Sequence, residues 1–114
     1  MSLNKKMGDK HEADIADRLG GRRTRGSGNQ PANPADGRHN RYADHFAFAW
    51  DCKSTRGDSI GVSRTMIEKI IEQSHGERPM LPLRWYDSDR LAVAHDWVAI
   101  RLDDLEELLE AAGR

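Results

Sequence analysis

The sequence predicts an α/β domain with a central mixed β-sheet flanked by helices. Segments whose apolar residues recur at helical spacing alternate with short apolar runs typical of strands. Their order along the chain is helix, strands, helix, strand, strand, helix, which is typical of a sheet layered between helices. At 114 residues the chain is long enough for one such core but small for two. We therefore expect a single domain over residues 1–114.

The composition is that of a polar globular protein, with 37% hydrophobic residues, 32% charged residues and a mean hydropathy of -0.82. This low apolar fraction leaves a modest core, which a partner subunit would help to complete. The single cysteine, Cys52, excludes an intramolecular disulfide framework and suits a reducing compartment, so we expect a cytoplasmic protein. No apolar stretch approaches the length of a membrane span or a signal-peptide core, so we expect no membrane partner.

The net charge of -1 is unevenly distributed along the chain. Residues 1–64 contain 12 Lys and Arg against 8 Asp and Glu, whereas residues 65–114 contain 6 against 11. A positive surface around acidic catalytic residues suits a substrate with a phosphate backbone. On charge alone, however, ordinary solvated surface is the better explanation.

The first helix is predicted over Asn4 to Leu19. Gly20-Gly21 ends it, because glycine readily adopts the left-handed conformation that follows a helix. One apolar stripe at helical spacing includes a carboxylate. Its members are Glu12, Ile15, Ala16 and Leu19. A carboxylate on an apolar face is costly unless it is paired, hydrogen-bonded or near a metal.

Several short strands follow the first helix. Arg22 to Arg25 predicts a short strand, and residues 26–34 form a loop dense in turn residues. Asp36-Gly37 indicates a tight turn or the start of a strand, and Arg38 to Ala43 is a weaker strand candidate.

The clearest strand prediction is Phe46 to Lys53, where side chains should alternate between the two faces. Phe46, Phe48, Trp50 and Cys52 would point one way, and Ala47, Ala49, Asp51 and Lys53 the other. A carboxylate and an ammonium group would thus stand side by side on one face, where the strand leaves the core.

A second helix is expected after a turn at Arg56-Gly57-Asp58. Ser63 or Thr65 would cap it, and Thr65-x-x-Glu68 matches a capping box. Gly76 would end this helix. Its buried stripe would consist of Met66, Ile67, Ile70 and Ile71.

Two strands and a third helix complete the prediction. The strands are expected over Met80 to Trp85 and Trp97 to Arg101. Asp103 with Glu106 would cap an amphipathic helix over Asp104 to Ala112. Its inward residues would be Leu105, Leu108 and Leu109.

The acidic residues around the central strand suggest phosphodiester hydrolysis. Mg²⁺ prefers oxygen ligands and keeps several waters, so Asp36, Asp51 and the substrate phosphate could hold it. The main-chain carbonyl of Cys52 could add a ligand. Lys53 could stabilise the developing negative charge or orient the attacking water. Glu12 could bind a metal-coordinated water or a second ion.

Each of these residues also has an ordinary structural explanation. Asp51 and Lys53 could form a surface ion pair at a strand end, and Asp36 could simply form a turn with Gly37. Asp44 is a rival second ligand, although Asp44-His45 is typical of a hairpin tip. Glu12 could extend from the edge of its helix to water. Only the combination favours a nuclease.

The combination resembles a known signature. Pro34-Ala35-Asp36 followed by Asp51-Cys52-Lys53 is similar to the PD-(D/E)XK nuclease motif, and the helical Glu12 and the helix–sheet–helix order match that superfamily. Gly26-Ser27-Gly28 resembles the glycine-flanked serine of archaeal and phage Holliday junction resolvases. The resemblance covers roughly residues 10–85 and implies a restriction-endonuclease-like core, a Mg²⁺ cofactor that Mn²⁺ can replace, and a homodimer. If phage-encoded, the protein would act in the cytoplasm of a bacterial host.

The resemblance also implies roles for individual residues. Glu12, Asp36 and Asp51 would be acidic metal-site residues, with Cys52 adding its main-chain carbonyl. Lys53 would be the catalytic lysine, Ser27 a hydroxyl that contacts phosphate or assists cleavage, and Gln73 a glutamine that faces the site. The chain departs from the commoner pattern in having Asp51 where Glu is usual, which shortens the ligand by one methylene. The Cys52 side chain faces the apolar side and is a packing residue.

DNA contacts are expected from the basic first half, because arginine binds phosphate through bidentate hydrogen bonds. The candidates are Arg22, Arg23, Arg25, Ser27, Arg38, Arg41 and Lys5-Lys6. The five histidines lack zinc-site spacing.

The sequence therefore predicts a metal-dependent DNA endonuclease that resolves four-way junctions as a homodimer. Two alternatives remain open. One is another PD-(D/E)XK enzyme, such as a restriction-like or nicking endonuclease. The other is a DNA-binding module without catalysis, in which Asp51 and Lys53 are structural.

Overall fold

The computed structural model describes residues 2–20, 22–23, 35, 37–38, 47–87 and 91–113, with Arg22, Arg23 and Arg38 described by their backbone alone. The predicted α/β class is confirmed. Helices and strands follow one another along the chain as α1 (Leu3–Leu19), β1 (Arg22–Arg23), β2 (Gly37–Arg38), β3 (Phe48–Trp50), β4 (Lys53–Thr55), α2 (Arg64–Gln73), β5 (Arg78–Asp87), β6 (Ala92–Ile100) and α3 (Leu102–Ala111).

The described strands form one mixed sheet. β1, β2 and β3 are antiparallel neighbours, β5 runs parallel to β3 and β4, and β6 pairs antiparallel with β5. β3 and β4 follow β5 in one constant register, from Phe48 opposite Arg78 to Thr55 opposite Trp85. They are therefore two parts of a single strand, interrupted at Asp51-Cys52. The parallel neighbours are joined through α2, as a crossover connection requires.

Two apolar clusters lie on opposite faces of this sheet. On one face, Phe48 and Trp50 pack with Met80 and with Ile15 of α1, and Cys52 packs against the same cluster. We call this the α1 face.

On the other face, Ala49 packs with Leu81 and with Ile70 of α2. We call this the α2 face. The predicted alternation of side chains along the central strand is confirmed for Phe48, Ala49 and Trp50, whereas Phe46 lies outside the described residues.

Gly37 of β2 lies against Trp50, the largest fully buried side chain among the described residues. It pairs with Trp50, and a Cβ atom added to it would lie 2.3 Å from the indole Nε1. Such a separation is far inside van der Waals contact, so only glycine fits. Gly37 is the first residue of β2, in line with the second of the two predicted possibilities, while Asp36 lies outside the described residues.

The helix ends follow local sequence in part. Ser2 caps α1 by accepting a hydrogen bond from the Lys5 N–H at 3.2 Å, and Gly20 ends it with φ +69°, as predicted. Ser63 caps α2 by accepting from the Met66 N–H at 3.2 Å. The capping box at Thr65 is wrong, because Thr65 already lies inside the helix.

The end of α2 and the start of α3 also differ from the predicted positions. α2 ends at Gln73 rather than at Gly76. α3 begins at Leu102 with Arg101 as its N-cap, so the predicted cap by Asp103 and Glu106 is wrong. Asp104, in the first turn of α3, is buried. Its carboxylate pairs with Arg101 at 3.1 Å and with Arg78 at 3.5 Å. β6 begins at Ala92, five residues before the predicted start.

Several residues expected in the core are exposed. In α2, Ile70 is buried, but Ile67 and Ile71 are not. In α3, Leu108 reaches the α1-face cluster, whereas Leu105 and Leu109 remain exposed. In α1, the buried residues are Met7, His11, Ile15 and Ala16, while Leu19 is exposed and Glu12 is half-buried. The C-terminal half thus presents more apolar surface than the sequence pattern predicts.

None of the three helices in the described part of the chain has the length and apolarity needed to cross a membrane.

Candidate active site

Asp51 and Lys53 flank the interruption in the central strand. The Asp51 N–H donates to the Met80 carbonyl at 3.2 Å, and Lys53 opens β4 opposite Leu83. Because the register along β5 is unbroken, the alternation of side chains continues across the interruption, and both residues share the α2 face with Leu83. Both are half-buried. A carboxylate and an ammonium group are thus held side by side on a strand fixed at both ends.

Asp36, the predicted second ligand, lies outside the described residues. The residues on either side of it are described: Ala35 is fully buried against Ala49 and Ile70, and Gly37 pairs with Trp50. Ala35 and Gly37 therefore lie beside β3, the strand segment that directly precedes Asp51.

Glu12 belongs to the opposite layer. It lies half-buried on α1, beside His11, and α1 covers the face opposite Asp51 and Lys53. Within residues 2–20, 47–87 and 91–113, no three His, Cys, Asp or Glu side chains come together as a set that could hold a metal ion. The structure therefore does not bring Glu12 and Asp51 into one described ligand set.

The remaining predicted site residues divide between the two layers. The Cys52 side chain packs on the α1 face, which confirms it as a packing residue and turns its sulfur away from Asp51. Gln73 is the last residue of α2 and is half-buried in the layer over the α2 face.

The predicted DNA-binding arginines are partly described. Arg22 lies opposite Arg38 in the β1–β2 ladder, and Arg23 lies opposite Gly37. Their strands continue the sheet away from β3. Lys5 and Lys6 are exposed on α1, where Lys5 pairs with Asp9 at 3.3 Å. Arg25, Ser27 and Arg41 lie outside the described residues.

The sequence analysis missed a buried arginine in the middle of β5. The Arg84 side chain is 2% exposed. Its Nε donates to Asp96 Oδ1 at 2.7 Å, its Nη2 donates to Asp96 Oδ2 at 3.0 Å, and its Nη1 donates to Asp14 Oδ2 at 2.7 Å. Nη1 also lies 3.2 Å from the Tyr86 hydroxyl, which donates to the Met7 carbonyl at 2.9 Å. This Arg84 network ties α1 to β5 and β6.

The network shifts the protonation of its members. Burial raises the pKa of the Asp96 carboxyl, but the hydrogen bonds and charge of Arg84 outweigh burial and hold that pKa below its ordinary value. The Asp14 carboxyl is lowered in pKa by the same balance, with Lys10 adding to the effect of Arg84. Burial lowers the pKa of Arg84, but its hydrogen-bond partners raise that pKa by more than burial lowers it. The guanidinium therefore stays charged. An arginine inside an apolar strand was the signal available in the sequence.

Comparison with known proteins does not add to these observations. The chain matches no protein-family model, and neither the curated proteins nor the solved structures contain a match. The resemblance to the PD-(D/E)XK signature therefore stays a prediction, and function must be inferred from the chain's own residues.

Proposed function

We propose that the chain is a metal-dependent DNA endonuclease with a restriction-endonuclease-like core, and that it resolves four-way DNA junctions. The observation that carries this proposal is that Asp51 and Lys53 share one face of the central strand, which Gly37 of β2 neighbours at Trp50. A carboxylate beside an ammonium group, both partly open to solvent, suits a phosphate that must be held and then attacked.

The connectivity supports the same proposal. A helix precedes three antiparallel strands, and a crossover helix leads to a strand parallel to the third. This order is the helix–sheet–helix order that the resemblance implies. In it, Gly37 of β2 lies opposite Trp50 of β3, and this adjacency supports the proposal.

The donor atoms suit a hard divalent cation. Asp51 offers carboxylate oxygens, whereas the Cys52 sulfur lies on the other face and His11 lies in the α1 layer. An oxygen set of this kind favours Mg²⁺, or Mn²⁺ in its place, over a transition metal that prefers nitrogen or sulfur. Asp36, Asp51 and the Cys52 carbonyl would hold the ion, which would supply charge neutralisation and an acidified water. Glu12 lies in the α1 layer, on the opposite face of the sheet, and is therefore left out of this ligand set.

The protein groups would each carry a distinct part of the reaction. Lys53 would stabilise the negative charge that grows on the phosphate oxygens as water attacks phosphorus. Cleavage would leave a 5′-phosphate. Ser27 would donate a hydrogen bond to a phosphate oxygen, and Gln73 would orient the substrate from the α2 layer.

Arginines would fix the DNA backbone beside this site. Arg38 belongs to β2, which neighbours β3, and Arg22 and Arg23 belong to β1, one strand further out. DNA laid across these two strands would reach Asp51 and Lys53. Arg25 and Arg41 would extend the same contacts.

A homodimer follows from symmetric cleavage, because paired cuts in a junction require two sites. Exposed apolar residues of the C-terminal half would supply the interface. Leu102, at 71% exposure, and Leu105 and Leu109 belong to α3, while Ile67 and Ile71 line an apolar groove beside the ends of β5 and β6. Burying such surfaces against a second copy is the usual way to remove them from water.

The test is cleavage of an end-labelled four-way junction in Mg²⁺, with a linear duplex of the same arm sequence and Asp51→Asn as controls. We expect symmetric paired nicks near the branch for the natural protein and none for the variant, which should still bind the junction. Equal cutting of the duplex would keep the nuclease and refute junction selectivity. Binding without cleavage in either Mg²⁺ or Mn²⁺ would refute catalysis and leave a DNA-binding module.

A further inference from the structure

A groove that contains two tryptophans lies on the part of the sheet that α2 does not cover. It is lined by Arg56, Gly57, Asp58, Trp85, Tyr86, Asp87, Ala94, His95 and Trp97, and we call it the tryptophan groove. Trp97 is 66% exposed. Tryptophan is the largest apolar side chain and is seldom left so open to water unless its ring meets a partner.

The strand register relates this groove to the candidate active site. Lys53 pairs with Leu83, and Leu83 pairs with Trp97, so the three lie in one row across β4, β5 and β6. Residues directly opposite one another share a face of the sheet, so Trp97 lies on the same face as Lys53. Two strand spacings separate their backbones, which is roughly 10 Å.

The second tryptophan lies one row further along. Thr55, Trp85 and His95 pair across the same three strands and share the α2 face. The Trp85 indole Nε1–H donates to the Asp58 carbonyl at 3.2 Å, which fixes this half-buried ring as a wall of the groove. Trp97 is its diagonal neighbour and supplies the open aromatic surface.

The polar lining suits a nucleobase better than a phosphate. Asp58 and Asp87 would repel a phosphate, but carboxylates accept hydrogen bonds from the exocyclic amino groups of bases. An exposed indole stacks on any base. Arg56, at the rim, can contact one phosphate of the same strand.

We propose that the tryptophan groove binds one unpaired nucleobase of the DNA strand, stacked on Trp97, while the neighbouring backbone lies at Lys53. This inference rests on the proposed nuclease function and deepens it. It assigns to the substrate an unstacked base that lies about two β-strand spacings from the scissile phosphate. A second copy of the chain suits the groove less well, because charged residues are depleted at the centre of such interfaces. The groove beside Ile67 and Ile71 is the apolar one.

The experiment measures binding in EDTA, where cleavage cannot occur, by fluorescence anisotropy of labelled single-stranded 12-mers. One oligomer carries a base at every position. The other has the same charge but has abasic sites at its central positions. We expect the abasic oligomer to bind at least about tenfold more weakly. Trp97→Ala should lose about tenfold on the based oligomer and little on the abasic one, and Trp97→Phe should keep most of the affinity.

Val98→Ala is the matched control, because Val98 is also exposed but lies on the opposite face of the same strand. It should change neither affinity. Equal binding of both oligomers, no binding of either, or an equal effect of Trp97→Ala on both would overturn the proposal. A change from dimer to monomer in Trp97→Ala on sedimentation, without a selective loss of affinity for the based oligomer, would overturn it in favour of a second copy.

Junction cleavage in Mg²⁺, assayed separately, distinguishes this inference from the proposed function. Cleavage that does not depend on Trp97 would refute the groove and keep the nuclease. Base-dependent binding at Trp97 without any cleavage would refute the nuclease and keep the groove.

Discussion

On the α1 face of the sheet, Arg84 is enclosed and shares its guanidinium between Asp14 and Asp96, whereas on the α2 face Lys53 is half-buried and Trp97 is largely exposed. Both faces carry a basic side chain on a strand. On the first face the guanidinium donates to two carboxylates and to the Tyr86 hydroxyl. On the second, α2 covers the sheet through Ile70 and leaves the row from Lys53 to Trp97 accessible. Both faces contribute core packing, but the basic side chain is enclosed on the α1 face and is partly open to solvent on the α2 face.

The largest expected effect breaks the closed face. Arg84→Ala removes a fully buried guanidinium that donates hydrogen bonds to Asp14 and Asp96, and charge-assisted hydrogen bonds of this kind contribute about 1.5–3 kcal/mol. The free energy of unfolding in urea should fall by that amount. Arg64→Ala removes an exposed pair with Glu68 and should cost less than about 0.5 kcal/mol. Equal losses in the two variants would refute the contrast.

The open face is tested by Lys53→Ala. The variant should retain its stability and most of its affinity for junction DNA in EDTA, since only one of several phosphate contacts is removed. The cleavage rate should fall by about 10²–10³-fold, because one stabilising group is lost from the transition state. Lys69→Ala, an exposed lysine on α2, makes the same change of charge and should cleave normally. A large loss of stability in Lys53→Ala would instead make this residue structural.

Gly37→Ala probes the packing of β2 against Trp50 on the α1 face. The new methyl group would meet the Trp50 indole at a separation no real contact has, so the ring or the strand must move. Overpacking of this kind costs about 1–3 kcal/mol. Thermal unfolding should show a lowered midpoint. Gly61→Ala is the control, since nothing lies within 4 Å of the added atom and its midpoint should stay unchanged.

Acid should weaken the Arg84 network on the closed face. The pKa values of the Asp14 and Asp96 carboxyls are below 3.8 in the folded protein, the value that they regain on unfolding. Their contribution to stability is therefore complete above the unfolded value and is lost as the pH falls below 3.8 and through the folded pKa values. Urea titrations between pH 7 and pH 2.5 should show this loss, and Arg84→Ala should flatten it. An unchanged acid slope in the variant would contradict the prediction.

The smallest effect on folding is expected at the apolar surface of α3. Leu102→Ser replaces an exposed leucine, so stability of the monomer should change by less than about 0.5 kcal/mol. Sedimentation velocity should nevertheless show a shift from dimer to monomer. Leu19→Ser, an exposed leucine on α1, is the control and should leave the dimer intact. A dimer that survives Leu102→Ser would move the interface elsewhere.

The predictions that rest on local sequence signals were the most accurate. α1 was predicted to within one residue at its start, because Gly20 and the helical spacing act within a few residues of the chain. The shared face of Asp51 and Lys53 followed from alternation alone. The interruption between them did not, because it is visible only against the register of β5.

The misplaced residues share a physical reason. Periodicity identifies which side chains share a face but not what covers that face, so Ile67 and Leu105 were assigned to the core although they are exposed. The start of β6 was missed because His95 and Asp96 interrupt its apolar pattern. Asp96 is explained by Arg84, a strand away, and the sequence alone does not give that pairing.

The Arg84 network has a consequence for how the chain folds. Its guanidinium needs one carboxylate from position 14, early in the chain, and another from position 96, late in the chain. A partly folded chain with α1 and β5 but without β6 would hold an arginine in an apolar layer with half its acceptors missing, and such a state is penalised. Folding of the α1 face should therefore be cooperative. On the ribosome this face would wait until residue 96 has emerged, and amides of α1, β5 and β6 would exchange their hydrogens as one unit.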